Sequence, residues 1–467
     1  MGQVTELPRN EEGIAAALGV LKQQFGEAVQ TSQSIREQHG HTTTWLENQA
    51  PDAVVFAKST EDVREIVSIC ATYKVPIIPF GTGTSLEGHV NAPAGGISVD
   101  VSQMNKVLEV NANDLNCVVQ PGVTREDLNM HLRDQGLFFP IDPGANASLG
   151  GMTATGASGT NAVRYGTMKD NVLALQTVMA DGQVIKTATK ARKTSAGYDL
   201  TRLMVGSEGT LGLITEITLK LYGIPEAISS ARCSFPSVDA ACQTVMQVIG
   251  YGIPVARIEL LDEMSVAAVN AYSKLDLPET PMLLREFHGS ESGVAEQAEL
   301  FGAIAEEFGA SGYETTTTTE ERNRLWQARH DLYWATLQVR PGAKAISTDV
   351  CVPISRLAEC VTQTQDRMRA DGFAPMVVGH VGDGNFHSVV LVDMDSPEEI
   401  EKANVFVGWL NELAISMDGT CTGEHGIGQG KMPYLVQELG GAVGFMSAIK
   451  RAMDPDNIFN PGKILST

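Results

Sequence analysis

The sequence predicts an α+β protein with more than one domain, and three observations lead to this fold class. The chain has 467 residues, enough for two or three domains with sizeable cores. Residues 91–222 are dominated by short β-branched strands and glycine-rich turns, whereas residues 228–417 alternate regularly between strands and helices. The composition changes after "YGIPEA" (222–227). We therefore expect one α+β domain built around a ligand, followed by a domain in which helices cover a sheet.

The elements group into four segments. Residues 1–44 form an N-terminal helical segment, in which an apolar stripe from Ile14 to Phe25 lies on one face of a helix behind an Asn-type cap. Residues 45–225 and 226–417 are the two domains. Residues 418–467 form a segment rich in glycine and turns around one helix.

Composition excludes several classes of partner. The formal charge is −22 and the pI is near 4.8, which argues against nucleic acid or an anionic membrane surface as a general partner. No apolar run is long enough for a transmembrane segment, and the N-terminus lacks the pattern of a signal or transit peptide. Seven cysteines without a CxxC pair indicate reduced thiols in a cytosol-like compartment. Assembly into an oligomer is left open.

Three stretches of small residues lie in the first domain. "PFGTGTSLEG" (79–88) is neither a dinucleotide fingerprint, since the third glycine would fall on Leu86, nor a P-loop. Its backbone N–H groups can form an anion-binding nest, with an ordinary tight turn as the alternative. Residues 143–163 contain no charged side chain, which lets the backbone approach a large flat ligand, and residues 206–215 repeat this character. Three such stretches in one domain favour a bound ligand.

The octapeptide "HVGDGNFH" (380–387) predicts a hairpin with a histidine at each end. A turn centred between Asp383 and Gly384 would place His380 opposite His387, with Cβ atoms about 4.5–5.5 Å apart. That separation suits two imidazoles on one metal ion, although a third ligand must come from elsewhere. Histidines with a purely structural role are the alternative.

Taken in this order, the three glycine stretches resemble the flavin-binding domain of the vanillyl-alcohol oxidase superfamily, also called the PCMH type. More closely, "VARIELLD", "HVGDGNFH", "GTCTGEHGIG" and "NPGKIL" resemble the cytochrome-type D-lactate dehydrogenases. These are related to glycolate oxidase large subunits and D-2-hydroxyglutarate dehydrogenases. The resemblance extends from about Trp45 to Leu465. It implies a PCMH-type FAD-binding domain at 45–225, an α/β cap (substrate) domain with an antiparallel sheet at 226–417, and a C-terminal segment that returns to the flavin.

The resemblance also implies where FAD binds. The pyrophosphate would lie in loop 79–85, the isoalloxazine along 143–166, and the adenine end near Glu208. His89 stands where glycine is expected, and we expect it to be solvent-facing or packed rather than linked to the flavin. The implied FAD-binding residues are Pro79, Gly81, Thr82, Gly83, Thr84, Ser85, Pro143, Gly144, Ser148, Gly151, Met152, Thr155, Gly156, Ser158, Gly159, Tyr165, Glu208, Gly212, Ile214 and Asn460.

By the same resemblance, the ligands of a divalent ion such as Zn²⁺ or Mn²⁺ are His380, His387 and Glu424. His425 is implied to be the general base, because a neutral imidazole can take the hydroxyl proton of a 2-hydroxy acid near neutral pH. The alternative for His425 is a histidine with no catalytic task.

Arg329 is implied to bind the substrate carboxylate, since arginine pairs with carboxylates through two parallel hydrogen bonds. Without the resemblance, an arginine in "NRLWQARHDLYW" (323–334) would be assigned to a helix surface. The neighbouring Tyr333 and Trp334 are expected either to line the pocket or to pack in the core.

The expected function is a flavin- and metal-dependent dehydrogenase that oxidises a small D-2-hydroxy acid, D-lactate first, with hydride passing to FAD. No NAD fingerprint is present, so electrons would pass to a quinone, a cytochrome c or an electron-transfer protein. The expected location is cytoplasmic. Peripheral membrane association, or the mitochondrial matrix if a presequence has been removed, are the alternatives.

Several rival functions are left open. D-2-hydroxyglutarate would need a second carboxylate anchor, which the relatives supply with a basic residue where this chain has Ser347, although Lys344 lies nearby. Glycolate oxidation is a further candidate within the class. A metal hydrolase would leave the glycine stretches unexplained. A non-catalytic flavin-binding protein would not need His425 and Arg329 beside a metal.

Overall fold

The computed structural model describes residues 7–316 and 318–466, apart from the side chains at positions 319, 324, 328 and 330. These residues form two compact units. The first unit comprises the residues up to Ser158, then Gly166–Ile224, and the residues from Glu424 onward. The second unit comprises Gly159–Tyr165 and Pro225–Gly423. The short piece that ends at Tyr165 therefore belongs to the second unit, although no change in composition marks it.

Helices and strands are distributed along the whole chain. The helices are α1 (Glu11–Phe25), α2 (Gln33–His39), α3 (Thr60–Tyr73), α4 (Arg125–Leu132), α5 (Leu149–Thr155), α6 (Ala162–Tyr165), α7 (Met168–Asn171), α8 (Leu200–Met204), α9 (Val238–Gly250), α10 (Glu263–Ser273), α11 (Glu291–Glu307), α12 (Thr319–His330), α13 (Leu332–Val339), α14 (Leu357–Ala370), α15 (Pro397–Ser416), α16 (Met432–Leu439) and α17 (Ala442–Met453). The strands are β1 (Val29–Gln30), β2 (Ala53–Phe56), β3 (Ile77–Phe80), β4 (Ile97–Asp100), β5 (Val107–Asn111), β6 (Asn116–Val119), β7 (Leu137–Phe138), β8 (Val172–Val178), β9 (Val184–Lys186), β10 (Leu213–Lys220), β11 (Tyr222–Gly223), β12 (Ala227–Ser234), β13 (Val255–Leu261), β14 (Met282–Gly289), β15 (Ser311–Thr316), β16 (Lys344–Ser347), β17 (Val350–Cys351), β18 (Val377–Gly379) and β19 (Asn385–Val392).

The first unit contains two main sheets. One has the order β1-β2-β4-β3, in which β2, β4 and β3 are parallel. Its core includes Val55, Ile77 and the buried stripe of α3, which begins where the Ser59 side chain accepts a hydrogen bond from Asp62 N–H. The other sheet is antiparallel, with the order β5-β6-β10-β8-β9. The loop after β3 and the strand β10 thus lie within one unit, together with the C-terminal segment.

Between residues 91 and 222 the sequence predicted mainly short strands and glycine-rich turns, and this expectation missed most of the short helices in the region. In addition to α4, the structure has the short helices α5, α6, α7 and α8 in this region. Helix α5 has the sequence "LGGMTAT", in which small residues give no apolar period of 3.6. The Ser148 side chain accepts a hydrogen bond from Gly151 N–H at its start, a capping signal that the glycine content obscured.

The second unit is built on one antiparallel sheet with the order β15-β12-β14-β13-β18-β19-β16, with β17 paired to β19. Alternate residues of β14 face opposite sides, as the period of two requires. Phe287 packs against Phe301 of α11, whereas Leu284 belongs to a cluster with Trp326 of α12. Glu286 points to the same side as Leu284, so the α12 side of the sheet carries polar groups.

The predicted register of the 380–387 hairpin was wrong by two residues. His387 is paired with Val378, and the residues from His380 to Gly384 form the connection around a 3₁₀ turn. Gly384 has a φ of +80°, and a Cβ atom there would lie 2.1 Å from the Val352 carbonyl oxygen. This close approach is consistent with a connection longer than the turn that would place His380 opposite His387. A shift of two residues leaves both histidines on the same face.

Three further features of the described residues concern helix length, the cysteines and the threonine run at 315–319. No helix among them is long and apolar enough to cross a membrane. The seven cysteines, all at described positions, carry free thiols. Most of the "TTTTT" run falls at the exposed end of β15 and the start of α12, and Thr317 lies outside the described residues.

Candidate active site

Glu259 in β13 is the centre of a polar group in the second unit. Its side chain is fully buried. Oε1 lies 2.7 Å from Nδ1 of His380. Oε2 accepts a hydrogen bond from Nε of Arg329 at 2.9 Å and forms an ion pair with Nη2 of the same guanidinium at 2.8 Å. One buried carboxylate therefore contacts both Arg329, which is predicted to bind the substrate carboxylate, and His380, which is predicted to bind a metal ion.

The local structure explains how these three side chains meet. β13 pairs with β18 so that Leu260 lies opposite Gly379, which places Glu259 beside His380 just beyond the strand end. Arg329 reaches the same carboxylate from α12, one turn after the buried Trp326. Burial alone would raise the pKa of Glu259, but the charges and hydrogen bonds of His380 and Arg329 hold this pKa below its usual value.

Sequence reasoning did not single out Glu259, although "VARIELLD" contains it. The signal was a carboxylate at an inward position of an apolar strand. A buried acid of this kind requires a buried partner. The sequence alone does not say which cation is that partner.

The two histidines are oriented like metal ligands. Their ring centroids are 5.5 Å apart and the rings are nearly perpendicular. Nδ1 of His387 lies 2.9 Å from the Thr348 carbonyl oxygen, as Nδ1 of His380 does from Glu259. Metal-binding histidines commonly make such a contact through one ring nitrogen while the other binds the ion. A metal would therefore be bound through Nε2 of each, so the donor set present fits a divalent ion.

The chain approaches this pair again just before Glu424. A Cβ atom at Gly423 would lie 2.2 Å from Nδ2 of Asn385, which leaves room only for glycine. The Thr422 hydroxyl donates to Asp349 Oδ2 at 2.8 Å, and Asn385 Nδ2 donates to Asp349 Oδ1 at 2.9 Å. The residue preceding Glu424 is thus fixed against Asn385, two positions from His387 in β19.

In the first unit, Glu208 binds the backbone of the loop that follows Glu424. Its buried carboxylate accepts hydrogen bonds from the backbone N–H groups of Ile427 at 2.7 Å and Gly428 at 2.8 Å. Nε2 of His89 lies 3.1 Å from the same carboxylate, so His89 is packed and not solvent-facing. Burial opposes ionisation, but the charge of His89 and these hydrogen bonds leave the pKa of Glu208 below its usual value.

His425 lies in the same loop and is mostly buried. Its Nδ1 is 3.9 Å from Oε1 of Glu87, a carboxylate that also lies 3.3 Å from Nζ of Lys431. Glu87 therefore lies on the Nδ1 side of the imidazole, where a carboxylate can orient the ring.

The predicted flavin loops meet within the first unit. Ser148 N–H donates to the Thr82 hydroxyl at 3.3 Å, and a Cβ atom at Gly81 would lie 2.2 Å from the Ser148 hydroxyl. The loop after β3 borders an open cavity of about 390 Å³. The buried hydroxyls of Ser85 and Ser207 have no hydrogen-bond partner among the described residues. Close backbone packing and unused polar atoms fit a ligand such as FAD.

Most of the residues implied to bind FAD lie in the first unit; the exceptions are Gly159 and Tyr165. The Tyr165 hydroxyl lies 2.7 Å from Nδ1 of His288, within the second unit. Asn460 is buried in the first unit, where Nδ2 donates to the Glu208 carbonyl oxygen at 2.8 Å. Trp334 is 55% exposed and so is not a core residue.

Comparison with known proteins shows the family of this chain. Residues 224–464 match the family described as FAD linked oxidases, C-terminal domain, and residues 51–188 match the family described as FAD binding domain. The chain belongs to the FAD-linked oxidases. The predicted superfamily and the predicted FAD cofactor are confirmed, and the protein is an FAD-dependent oxidoreductase.

Individual relatives support the same family. This FAD-linked oxidase is 48% identical over 443 residues to the probable mitochondrial D-lactate dehydrogenase of Danio rerio, covering 94% of this chain and 89% of the relative. It is 46% identical over 416 residues to the mitochondrial D-lactate dehydrogenase (cytochrome) of Arabidopsis thaliana, covering 89% and 73%. The structure of 4-ethylphenol oxidase from Gulosibacter chungangensis superposes with a TM-score of 0.81 at 19% identity, over 98% of both chains. This structural likeness confirms the predicted α+β, PCMH-type fold.

Proposed function

We propose that this FAD-linked oxidase is a D-lactate dehydrogenase that delivers electrons to an acceptor other than NAD. The observation that carries the proposal is the Glu259 group, in which one carboxylate holds Arg329 and His380 together. A 2-hydroxy acid offers a carboxylate and a hydroxyl on adjacent carbons. A guanidinium beside a metal-binding imidazole matches these two groups. The names of the relatives support the same substrate.

Arg329 is proposed to bind the substrate carboxylate. Glu259 occupies the Nε and Nη2 edge of the guanidinium. Arginine has five N–H donors in a rigid plane, so its other edge can bind a second carboxylate. The ion pair with Glu259 holds the plane in one orientation, which reduces the conformational entropy lost when substrate binds.

His380, His387 and Glu424 are proposed to hold a divalent ion such as Zn²⁺ or Mn²⁺. The orientation of both imidazoles and the fixed position of Gly423 support this set. When bound, the metal would lower the pKa of the substrate hydroxyl and FAD would accept the hydride.

His425 is proposed to take the hydroxyl proton. With Nδ1 on the side of Glu87, Nε2 is the nitrogen that would accept this proton. The Glu87 carboxylate would then stabilise the imidazolium that forms, which is how a neighbouring acid assists a histidine base. Glu208 fixes the backbone of the same loop, so the base is carried by a rigid segment.

The surroundings of Ser347 support a small substrate. Ser347 ends β16 opposite Val389, and Lys344 begins the same strand as an exposed residue. Residues three apart on a strand point to opposite faces and are separated by about 10 Å. Lys344 therefore does not substitute for a basic residue at Ser347, which favours D-lactate over D-2-hydroxyglutarate.

The names of the relatives also support a proposal for the electron acceptor and for the cellular location. The Arabidopsis thaliana relative is named as the cytochrome type and as mitochondrial. We propose a cytochrome c as the acceptor, with a quinone or an electron-transfer protein as alternatives, and a mitochondrial location.

The first experiment tests the substrate. The purified protein should be yellow and should release its FAD into the supernatant on acid precipitation. Anaerobic addition of D-lactate should bleach the flavin absorbance, while L-lactate and D-2-hydroxyglutarate should act much more slowly, because the proposed site fixes one face of a short acid. If the flavin stays oxidised with D-lactate but is bleached by D-2-hydroxyglutarate, the proposed substrate is wrong and D-2-hydroxyglutarate takes its place.

The second experiment tests the metal. Chelation followed by desalting should remove activity while FAD stays bound, because the proposed metal ligands lie outside the flavin loops. Zn²⁺ or Mn²⁺ should restore turnover. The metal content measured by elemental analysis should fall and rise together with the activity. Full activity in metal-free protein would reject the proposed metal site.

The third experiment distinguishes the proposed role of His425 as the base from the proposed role of Arg329 in binding the substrate carboxylate. His425→Asn should slow flavin reduction by D-lactate about 10²–10⁴-fold, the usual cost of losing a general base, with little change in substrate affinity. Arg329→Ala should weaken D-lactate binding as well, because it removes the carboxylate partner. His131→Asn, at an exposed position of α4, is the matched control and should behave as wild type. A wild-type reduction rate in His425→Asn would show that another residue is the base.

A further inference from the structure

Three residues with strained backbones surround the loop that carries His425. Glu208, Asn460 and Ile464 have φ angles of +53°, +40° and +63°. Non-glycine residues rarely adopt positive φ, and a β-branched residue such as Ile464 does so at particular cost. Lys74 and Lys274 also have positive φ, but each ends a helix, where this conformation is common. Glu208 and Ile464 lie instead in tight turns, which are closed by hydrogen bonds from Thr210 N–H to the Ser207 carbonyl oxygen and from Leu465 N–H to the Lys463 carbonyl oxygen.

All three strained residues contact the loop or one another. The Glu208 carboxylate accepts from Ile427 and Gly428 N–H, and Ile464 N–H donates to the Gly428 carbonyl oxygen at 3.0 Å. Asn460 donates to the Glu208 carbonyl oxygen at 2.8 Å. The Gly428 peptide is therefore held from both sides, by Glu208 at its N–H and by Ile464 at its carbonyl.

The buried Lys463 joins this network to the rest of the first unit. Its Nζ donates to the Asn91 carbonyl oxygen at 2.6 Å and to Asn460 Oδ1 at 3.0 Å. The C-terminal motif "NPGKIL" thus reaches the His425 loop through Asn460 and Glu208. Strained conformations persist only where the surrounding contacts determine them strongly, and they concentrate at functional sites.

The glycines of the loop show how closely Glu208 approaches His425. A Cβ atom at Gly426, the residue after His425, would lie 2.7 Å from Oε1 of Glu208. At Gly428, where φ is +49°, a Cβ atom would lie 2.0 Å from the Glu87 carbonyl oxygen. Both positions admit only glycine. The backbone on the C-terminal side of His425 is therefore fixed by direct packing as well as by hydrogen bonds.

We propose that Glu208 is a positioning residue for His425, and that Asn460 and Ile464 brace it in its strained conformation. The inference rests on the proposed function of His425 as the base. It gives Glu208 and "NPGKIL" a role in aligning the proton acceptor, distinct from the contact with the adenine end of FAD that the resemblance implies. Misplacing a reacting group by about 1 Å can cost on the order of 10²-fold in rate.

The test uses Glu208→Gln in the holoenzyme. Glutamine keeps the size of the side chain, but its NH₂ group faces one of the two loop N–H donors and cannot accept from it. We expect flavin content equal to wild type, flavin reduction at saturating D-lactate slowed about 10- to 100-fold, and a D-lactate dissociation constant within about two-fold of wild type. Hydrogen–deuterium exchange in the peptide containing Ile427 and Gly428 should become faster.

Asp52→Asn is the matched control. Asp52 lies in the same unit and accepts Gly96 N–H at 2.7 Å, away from the His425 loop. This variant should leave both the reduction rate and the exchange of the Ile427 peptide unchanged. A global loss of structure in Glu208→Gln would accelerate exchange throughout the protein. The positioning role requires faster exchange confined to this loop.

Two results would overturn the proposal. One is a Glu208→Gln enzyme with wild-type reduction rate, and the other is loss of FAD with unchanged protection of the Ile427 peptide, which would assign Glu208 to the cofactor. If D-lactate fails to reduce wild-type flavin, the proposed function is rejected separately. In that case exchange still decides whether Glu208 holds the loop.

Discussion

The candidate site depends above all on the buried carboxylate of Glu259. An ionised acid inside a sheet is costly unless charged or hydrogen-bonding groups compensate it, and here Arg329 forms an ion pair with Glu259 and Nδ1 of His380 lies 2.7 Å from its carboxylate. The same ion pairs that offset this cost set the orientation of the guanidinium and of one imidazole. Arg329 lies in α12 and His380 follows β18, so the Glu259 carboxylate connects elements that are far apart in sequence. Removing one partner would leave a buried charge and disturb the other two.

Glu208 in the first unit is a second carboxylate whose burial must be compensated by its contacts. It is also buried and ionised, but most of its partners are backbone N–H groups of a glycine-rich loop rather than cationic side chains. A carboxylate that accepts backbone hydrogen bonds fixes the path of the chain, whereas one paired with arginine fixes a side chain. In the proposed reaction the two acids would therefore have different tasks: Glu259 would orient the groups proposed to bind substrate and metal, and Glu208 would orient the segment that carries the proposed base.

Much of the fold could be predicted from sequence. Capped amphipathic helices such as α3 and β-branched strands such as β10 carry strong local signals. The short helix α5 could not be recognised because "LGGMTAT" has no apolar period. The hairpin register was missed because the turn length is set by Gly384 packing on Val352, a tertiary contact. The candidate metal ligands were predicted from motifs that resemble a known family, and they stay a prediction. The contacts of Glu259 and Glu208 emerge only when their partners in the fold are known. Spacing along the chain gives no indication of such partners.

The most direct test of this account is the effect of Glu259→Gln on metal and substrate together. In the holoenzyme, the variant should bind Zn²⁺ or Mn²⁺ about 10- to 100-fold more weakly, as is typical when the partner of a ligating histidine is lost. The dissociation constant for D-lactate should rise in the same protein, because Arg329 loses the carboxylate that orients it. If both metal and D-lactate bind as they do in wild type, Glu259 does not organise the site and the account is contradicted.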